Sequence, residues 1–380
     1  MVASTYKVFL YDIRSQKIYA EIPMSDLSYD YELDGEGSAS VSLPMESVKL
    51  DGTTLKPIDV FPVRTAIAIQ RGSELVWGGL VWQYRVDLTN KLIKIDAGGY
   101  FSYYKYRHTY TNGNRFVFKE IIDMIKWFIL EINSTWGNGI HTSLSGLVPN
   151  GARRSKSWAP LEYVSIADVI ADLADEVPSI DIKNFKMVGG FFFYFDPYWV
   201  DSTHIGNRMS NTPNRDPDYN GVSLTQGVDC EITEIGVDGN DLANASYVVG
   251  ATTNSKTPPA HYELRNPAFS SQLPYMDVIV NANTEKKWPN LYWQAKSALS
   301  AGAIPTILPT VVTYPNMFSP NQFKTGTKIK LSSGDSFLEL NEAEYVITRV
   351  AVSVTGDGSD RITMDVVQDE LFKEVDTTNA

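Results

Sequence analysis

Cysteine and histidine most often carry nucleophilic or metal chemistry, and this chain has one of the first and four of the second. A nucleophile at Cys230 would need a histidine beside it. His108, His141, His204 and His261 are instead scattered along the chain with no pairing motif. A single thiol excludes an intramolecular disulfide and a thiolate zinc site, and the plainer reading of Cys230 is a small buried apolar side chain. Asp and Glu number 45 together, so a glycosidase acid pair has many candidates and no marker. Asp216-Pro217-Asp218-Tyr219-Asn220-Gly221 matches the opening of a calcium loop, with three oxygen ligands and the turn glycine in place. The twelfth position is Gly227, where a bidentate Glu belongs, and Asp, Asn and Gly equally build an ordinary turn. Calcium and a plain polar loop both stay open at 216–221. Arg153-Arg154-Ser155-Lys156 is the main basic cluster. It lacks interleaved aromatics and reads as a solvated loop, not a nucleic-acid groove. The GxSxG elbow, the phosphate loop GxxxxGK followed by Ser or Thr, HExxH, and GxGxxG after a strand are all missing. No catalytic, cofactor-binding or metal-binding residue is assigned, no cofactor is expected, and the chain does not read as an enzyme.

The elements that would position any site are mostly strands. A chain of 380 residues with 43% hydrophobic and 21% charged content is a folded protein of two to four domains. Aromatic residues make up 12%, with 21 Tyr and 8 Trp, which suits sheet surfaces and wet interfaces. The net charge of −12 repels nucleic acid, although an acidic surface also serves plain solubility. The N-terminus has no basic start and long apolar run, so synthesis in a cytoplasm without the usual export is expected. The longest apolar stretch, 116–132, carries Lys119, Glu120, Asp123 and Lys126 and cannot be a membrane span.

Residues 6–100 read as nearly all β. Helical spacing follows: Phe118, Ile121, Ile122, Ile125, Ile129 and Ile132 share one face, predicting a helix over 116–132. Ser165 and Asp168 form a capping box for a second helix over 165–177, stopped by Pro178. Phe191 to Phe195 reads as a buried strand, and 196–222 as a long polar loop. Pro289 and Gly302 bracket a third helix, 289–301.

Two stretches of the chain repeat one pattern. After Val63–Gln70 and a polar turn, Leu75-Val76-Trp77-Gly78-Gly79 opens a strand in which Leu80, Trp82, Tyr84, Val86 and Leu88 alternate with polar residues; a return strand holds Ile93 and Ile95. Near the end, Thr327–Leu331 leads to Phe337–Leu340, then to Val350, Val352 and Val354 alternating with Arg349, Ala351 and Ser353. After Gly356-Asp357-Gly358 comes a return strand with Ile362, Met364 and Val366. Period-two alternation marks half-buried antiparallel strands, and a doubled unit suggests a symmetric assembly.

The step Trp77-Gly78-Gly79-Leu80-Val81 resembles the first β-domain of tail-tip hub proteins of long-tailed phages. The downstream order resembles that family too: Asp241–Ala251 with its Tyr247-Val248-Val249-Gly250 strand, the 289–301 helix, Thr310–Thr313, Pro320–Ile329, and Tyr345–Val350. The nearest group is the minor tail proteins, the siphophage baseplate hub type, of phages infecting actinobacteria. Members often continue into a peptidase or fibre-like extension. This sequence ends soon after its second β-unit, so no lytic activity is carried over.

The resemblance implies a β-rich α+β multidomain fold with two similar antiparallel β-barrel-like tube domains and an inserted α/β domain. The expected division is 1–105 for the first barrel, 106–240 for the insertion, 241–370 for the second barrel and 371–380 for a polar tail. The implied protein is a virion component, a homotrimer at the tail tip. Its implied partners are the distal tail protein, the tape-measure protein and tip or receptor-binding proteins. It would gate a channel through which DNA passes without specific binding. A carbohydrate-binding or adhesin-like β module and a glycoside hydrolase remain open alternatives from the residues alone.

Overall fold

Seven strands open the chain: β1 (Tyr6–Asp12), β2 (Ile18–Ile22), β3 (Asp26–Glu32), β4 (Ser38–Pro44), β5 (Thr65–Arg71), β6 (Glu74–Asp87) and β7 (Leu92–Gly99). They lie in the order β2-β1-β5-β6-β7-β4-β3, and every neighbouring pair is antiparallel. The computed structural model describes residues 6–368 apart from 110–113, 135–138, 160, 177–178, 182–185, 241, 253–258, 266–273, 283–287, 303–305, 335–339 and 357. The 371–380 tail, the helix stop at Pro178, Asp241, Asp357, and the Asp335–Glu339 part of the second repeat lie outside the described residues.

Sequence pattern explains the faces. In β4, Ala39, Val41 and Leu43 are buried and the serines between them face the other way. In β5 the apolar run is continuous because both faces are covered: Ile67 and Ile69 enter one core, Ala66 and Ala68 another.

The insertion begins with a 3-10 turn, Tyr100–Tyr106, and holds β8 (Asn114–Glu120), α1 (Ile121–Ser134), β9 (Thr142–Gly146), β10 (Arg153–Trp158) and α2 (Ile166–Ala174). It continues with β11 (Ser179–Asp181), β12 (Lys186–Val188), β13 (Phe193–Asp201) and β14 (His204–Asn211). Three findings differ from expectation. First, residues 116–120 belong to a strand, not to the helix. Glu120 ends β8 opposite Arg153, its carboxylate accepts the Asp123 backbone N–H at 3.1 Å, and the helix starts there. Phe118 accordingly leaves the apolar face and is exposed. Second, the stretch expected as a loop, 196–222, is mostly a hairpin of β13 with β14, closed by a turn at Asp201–His204. Third, α2 is described only to Ala174, where Asp175 closes it with a bond to the Ala171 carbonyl.

The remaining elements are β15 (Tyr219–Thr225), β16 (Cys230–Asp238), β17 (Ala245–Val249), β18 (His261–Arg265), β19 (Asp277–Asn281), α3 (Trp288–Ala301), β20 (Thr306–Thr313), β21 (Lys328–Ser333), β22 (Leu340–Val354) and β23 (Asp360–Gln368). Strands β15 and β16, expected in the insertion, run in the same sheet as β20 to β23. The described elements within 245–301, expected in the second barrel, form a separate small sheet, β18-β17-β19, against α3. The physical reason is pairing: Asp238 stands directly opposite Thr306, so β17, β18, β19 and α3 lie between two strands already paired with each other.

The second unit has the order β15-β21-β22-β23-β20-β16. Strand for strand this repeats β1-β5-β6-β7-β4-β3. One difference is that β15 runs parallel to β21, whereas β1 is antiparallel to β5. Both long strands bulge at the same place, between Val81 and Gln83 in β6 and between Ile347 and Arg349 in β22. The bulge also corrects the expected alternation of β6: Leu80 and Trp82 pack toward the insertion, while Tyr84 packs toward the other core.

The two units are fused into one 13-stranded sheet by β22, whose second half pairs with β3 from Arg349↔Glu32 to Val354↔Leu27. Val350, Val352 and Val354 are at most 4% exposed at this seam. Fully burying such a side chain contributes about 1.5–3 kcal/mol. One apolar cluster runs through both units, from Val8 and Val41 to Val311 and Val366. A second fills the space between the first unit and the insertion.

Candidate functional site

The residues singled out for chemistry do not meet. Cys230 is fully buried in the core shared by the two units, and burial, with Asp229 and Glu231 nearby, pushes its thiol up to about 11. That is the environment of an inert packing residue. His204 binds Asp201 across its own turn at 2.9 Å, and His108 bridges to Ser165 ahead of α2. The basic cluster forms β10: Arg154 binds Glu176 at 3.0 Å, and Lys156 binds both Glu176 and Asp172. Those cations are neutralised in place instead of forming a phosphate-binding patch. The 216–221 segment is the entry to β15. The Asp218 carbonyl accepts from Lys328 N–H, Asn220 accepts from Val222 N–H and donates to the Gln322 carbonyl, and Gly221 takes a positive φ of 82°. The motif therefore runs into a strand, at the register shift between Tyr219 and Ser223. Among the described residues, no group of three or more His, Cys, Asp and Glu could hold a metal ion. Exposed rings such as Tyr106, Phe118, Tyr163, Trp199, Tyr275 and Trp288 sit on separate elements, and Trp288 packs with Tyr262, which in turn meets Tyr292.

Conspicuous chemistry lies instead on the face of the sheet opposite the shared core. Alternation places Ser28, Asp30, Ser38, Ser40 and Asp96 there from the first unit. Arg349, Ala351, Ser353, Thr363 and Asp365 come from the second. Arg349 spans the seam, reaching Asp30 at 2.8 Å and Asp365 at 3.4 Å. The bond to Asp30 raises the guanidinium's pKa. In the first unit Ser40 donates to Asp96 at 3.1 Å; at the matching place in the second, Thr310 donates to Asp365 at 3.3 Å. The duplication therefore extends to a side-chain hydrogen bond. Around the seam these small residues line a shallow groove of about 370 Å³, including Ser28, Asp30, Asp96, Arg349 and Ser353. It offers hydroxyls and carboxylates bound to one another. It is a polar wall on which Asp30 and Asp365 are paired with Arg349, and Asp96 with Arg85.

A second joint sits at the other end of the seam. Asp360 is 1% exposed and accepts from Tyr6 Oη at 2.8 Å and from Arg71 Nε at 2.9 Å. The insertion packs closely on the first unit at Gly78, and the end of β7 packs closely on the β3–β4 loop at Gly99. A Cβ on Gly78 would lie 2.3 Å from the Tyr100 hydroxyl and 2.9 Å from Pro197 of β13, and one on Gly99 would lie 1.8 Å from the Glu36 carbonyl. Asp34 holds Arg215 at 2.8 Å across the same boundary. The matched pair Asp96 and Asp365 was a readable signal that went unused; the Arg71–Asp360 contact, 289 residues apart in sequence, had none.

No protein-family model matches the sequence, and no curated protein matches it. Solved structures do. A 43 kDa prophage tail protein from Shewanella oneidensis superposes with a TM-score of 0.61 at 11% identity, covering 97% of this chain and 100% of that one. A tail protein from Neisseria meningitidis gives 0.57 at 10% identity, covering 97% and 98%. The chain has the fold of phage tail proteins. A prophage tail protein from Listeria monocytogenes adds a TM-score of 0.55 at 10% identity, with 94% of each chain covered. The β-rich α+β fold with two similar units and an insertion, expected from the hub resemblance, is the fold observed, with one parallel pair, β15 with β21, and with the units sharing one open sheet instead of forming two closed barrels.

Proposed function

We propose that this chain is a structural virion protein, a homotrimeric hub at the tip of a siphophage tail. It joins the tail tube and distal tail protein to tip or receptor-binding proteins, and opens to release the tape-measure protein and DNA. The observation that carries the reading is the internal duplication, fused edge to edge by β22 and β3. Three copies of a doubled unit present six similar units, which matches a sixfold tube above to a threefold tip below. The polar face supports a wall that DNA passes without binding, since phosphates are held by Lys and Arg and here Arg85 and Arg349 are already held by carboxylates. The work is mechanical and has no catalytic residue. Tail proteins sharing the fold at near-complete coverage support the same reading.

Immunogold labelling of particles carrying this chain tests it. Label at the tail end distal to the capsid is expected. Label along the tube, or particles without the chain, would sink the reading.

A further inference from the structure

We infer that residues 369–380 act as an arm that crosses to the next copy and covers Ile58, Phe61 and Val63 of its first unit. The inference rests on the hub reading, in which units of neighbouring copies follow one another as the two units of one chain do. The duplication reaches into the loop that closes each unit. In the first, the loop turns through Pro57–Val60; in the second, through Pro320–Gln322. Asp59 accepts the Lys56 backbone N–H at 2.8 Å, and Gln322 accepts that of Ser319 at 3.0 Å. The next residue, Val60 or Phe323, enters the shared core. Each loop ends at a positive φ, 68° at Val63 and 77° at Gly326. The N–H of that residue bonds to the carbonyl just before the bulge, Val81 at 2.7 Å or Ile347 at 2.8 Å. Position by position, Ile58 matches Asn321, Phe61 matches Lys324 and Val63 matches Gly326.

What covers the two loops differs. In the second unit, Lys324 Nζ lies 3.8 Å from the ring centre of Tyr194, whose hydroxyl donates to the Thr325 carbonyl at 3.0 Å. A Cβ on Gly326 would lie 3.0 Å from both Leu33 and Phe192. Phe192 and Tyr194 belong to the insertion, the segment that leaves β7 after Gly99. In the first unit the matching Ile58, Phe61 and Val63 are 55%, 53% and 41% exposed. Val63 is β-branched and still holds the positive φ that its duplicate gives to glycine, a strain spent on presenting an apolar side chain. The chain has one segment in the insertion's place. Gln368 opposes Tyr345 as Gly99 opposes Gly79, at matching distances from the bulges, so 369–380 leave the second unit where the insertion leaves the first. Reach is ample. The Gly99 N–H bonds to the Gly37 carbonyl, and the Leu33–Gly37 loop that leads from there to Gly326 spans at most about 15 Å. An extended arm over 369–380 spans up to about 40 Å. Its apolar step, Leu371-Phe372, lies near its start between Asp369-Glu370 and Glu374, while Lys56 and Arg64 flank the apolar knuckle on the loop. Opposite charges therefore bracket the apolar contact on both sides.

Disulfide trapping in purified particles carrying the full chain tests the arm. In a Cys230→Ala background, Phe61→Cys and Phe372→Cys place two thiols in side-chain contact, a spacing that a disulfide spans. Oxidation is expected to give linked dimers and trimers of this chain on a denaturing gel, lost on reduction. Asn321→Cys with Phe372→Cys is expected to give none, because the insertion already covers the second loop. A second readout needs no bond. With Phe61→Cys as the sole cysteine, maleimide labelling is expected to quicken at least tenfold when Phe372→Asp is added. A link closed within one chain, no link, or a labelling rate that Phe372→Asp leaves unchanged would overturn the arm. If immunogold still marks the tail tip of those particles, the hub reading stands without it. If the label lies elsewhere, the hub reading falls and the arm with it.

Discussion

Asp360 carries more of the cis joint than its size suggests. It is almost wholly buried, with Arg71 as its cation and Tyr6 as a further donor, and both come from the other unit. Removing the cation leaves a buried carboxylate without its countercharge, which costs about 3–5 kcal/mol. Arg71→Met is expected to lower the unfolding free energy by about that much in urea titration. Adding Asp360→Asn, which removes the stranded charge, should recover most of it; equal losses in the single and double variants would refute this account. A different sign of charge effect operates where β13 meets the second unit. Burial holds the Asp196 carboxyl above its ordinary range, opposed by Lys324 and then Arg208. Burial likewise raises Asp34 against Arg215. A carboxyl with a raised folded pKa binds its proton more tightly folded than unfolded, so its stabilising contribution is full below the unfolded pKa and is lost as pH rises through the folded one. Asp196→Asn has no such proton to gain. The melting temperature of the parent relative to Asp196→Asn is therefore expected to climb as pH falls from about 7 toward about 4. A level or falling difference across that range would contradict the burial argument.

At the scale of elements, the insertion of 239–305 into a hairpin makes a direct claim. Asp238 and Thr306 are register partners, and in the first unit the matching strands β3 and β4 are joined by only a short loop after Glu32. Replacing 239–305 with an Asn-Gly turn, suited to a two-residue hairpin, is expected to leave the main sheet folded. Circular dichroism should retain the β signal and a cooperative melt; loss of the melt would show that β17–β19 and α3 support the sheet. The strands of both units were legible in the sequence because one face is apolar and the other small or polar, as in Ser38–Leu43 and Arg349–Val354. The helix on 165–174 was legible from its cap, and Ser165 Oγ does accept the Asp168 N–H at 3.0 Å. What failed was context. Phe118 fits the helical period of the isoleucines after it, yet long-range pairing of 114–120 with 153–158 overrides the period. The bulge at Val81–Gln83 reverses a face without any local signature. The seam itself was not legible, since β3 and β22 are more than 300 residues apart and their pairing follows from the duplication, not from either strand.

For the whole molecule, the fused sheet changes what a domain means here. The two units share an apolar cluster and a continuous ladder, so neither has a closed surface of its own against which to fold separately. The second unit's β22 spends its first half on β21 and its second half on β3, and opening the seam would expose Val350, Val352 and Tyr29 together. The small sheet β18-β17-β19 with α3 is different. Among the described residues its apolar cluster is Val248, Leu291 and Ala295, with partly buried residues packed against them. Opening free energy scales with buried apolar contact, so local units with little of it exchange first. Hydrogen exchange followed by mass spectrometry is expected to protect peptides covering Leu27–Tyr31 and Val350–Val354 as strongly as those in the hairpins of either unit. Peptides covering Ala245–Val249 and the α3 helix should exchange well before them. If the seam peptides exchange first instead, the units are two domains in edge contact and the 13-stranded sheet does not act as one rigid body.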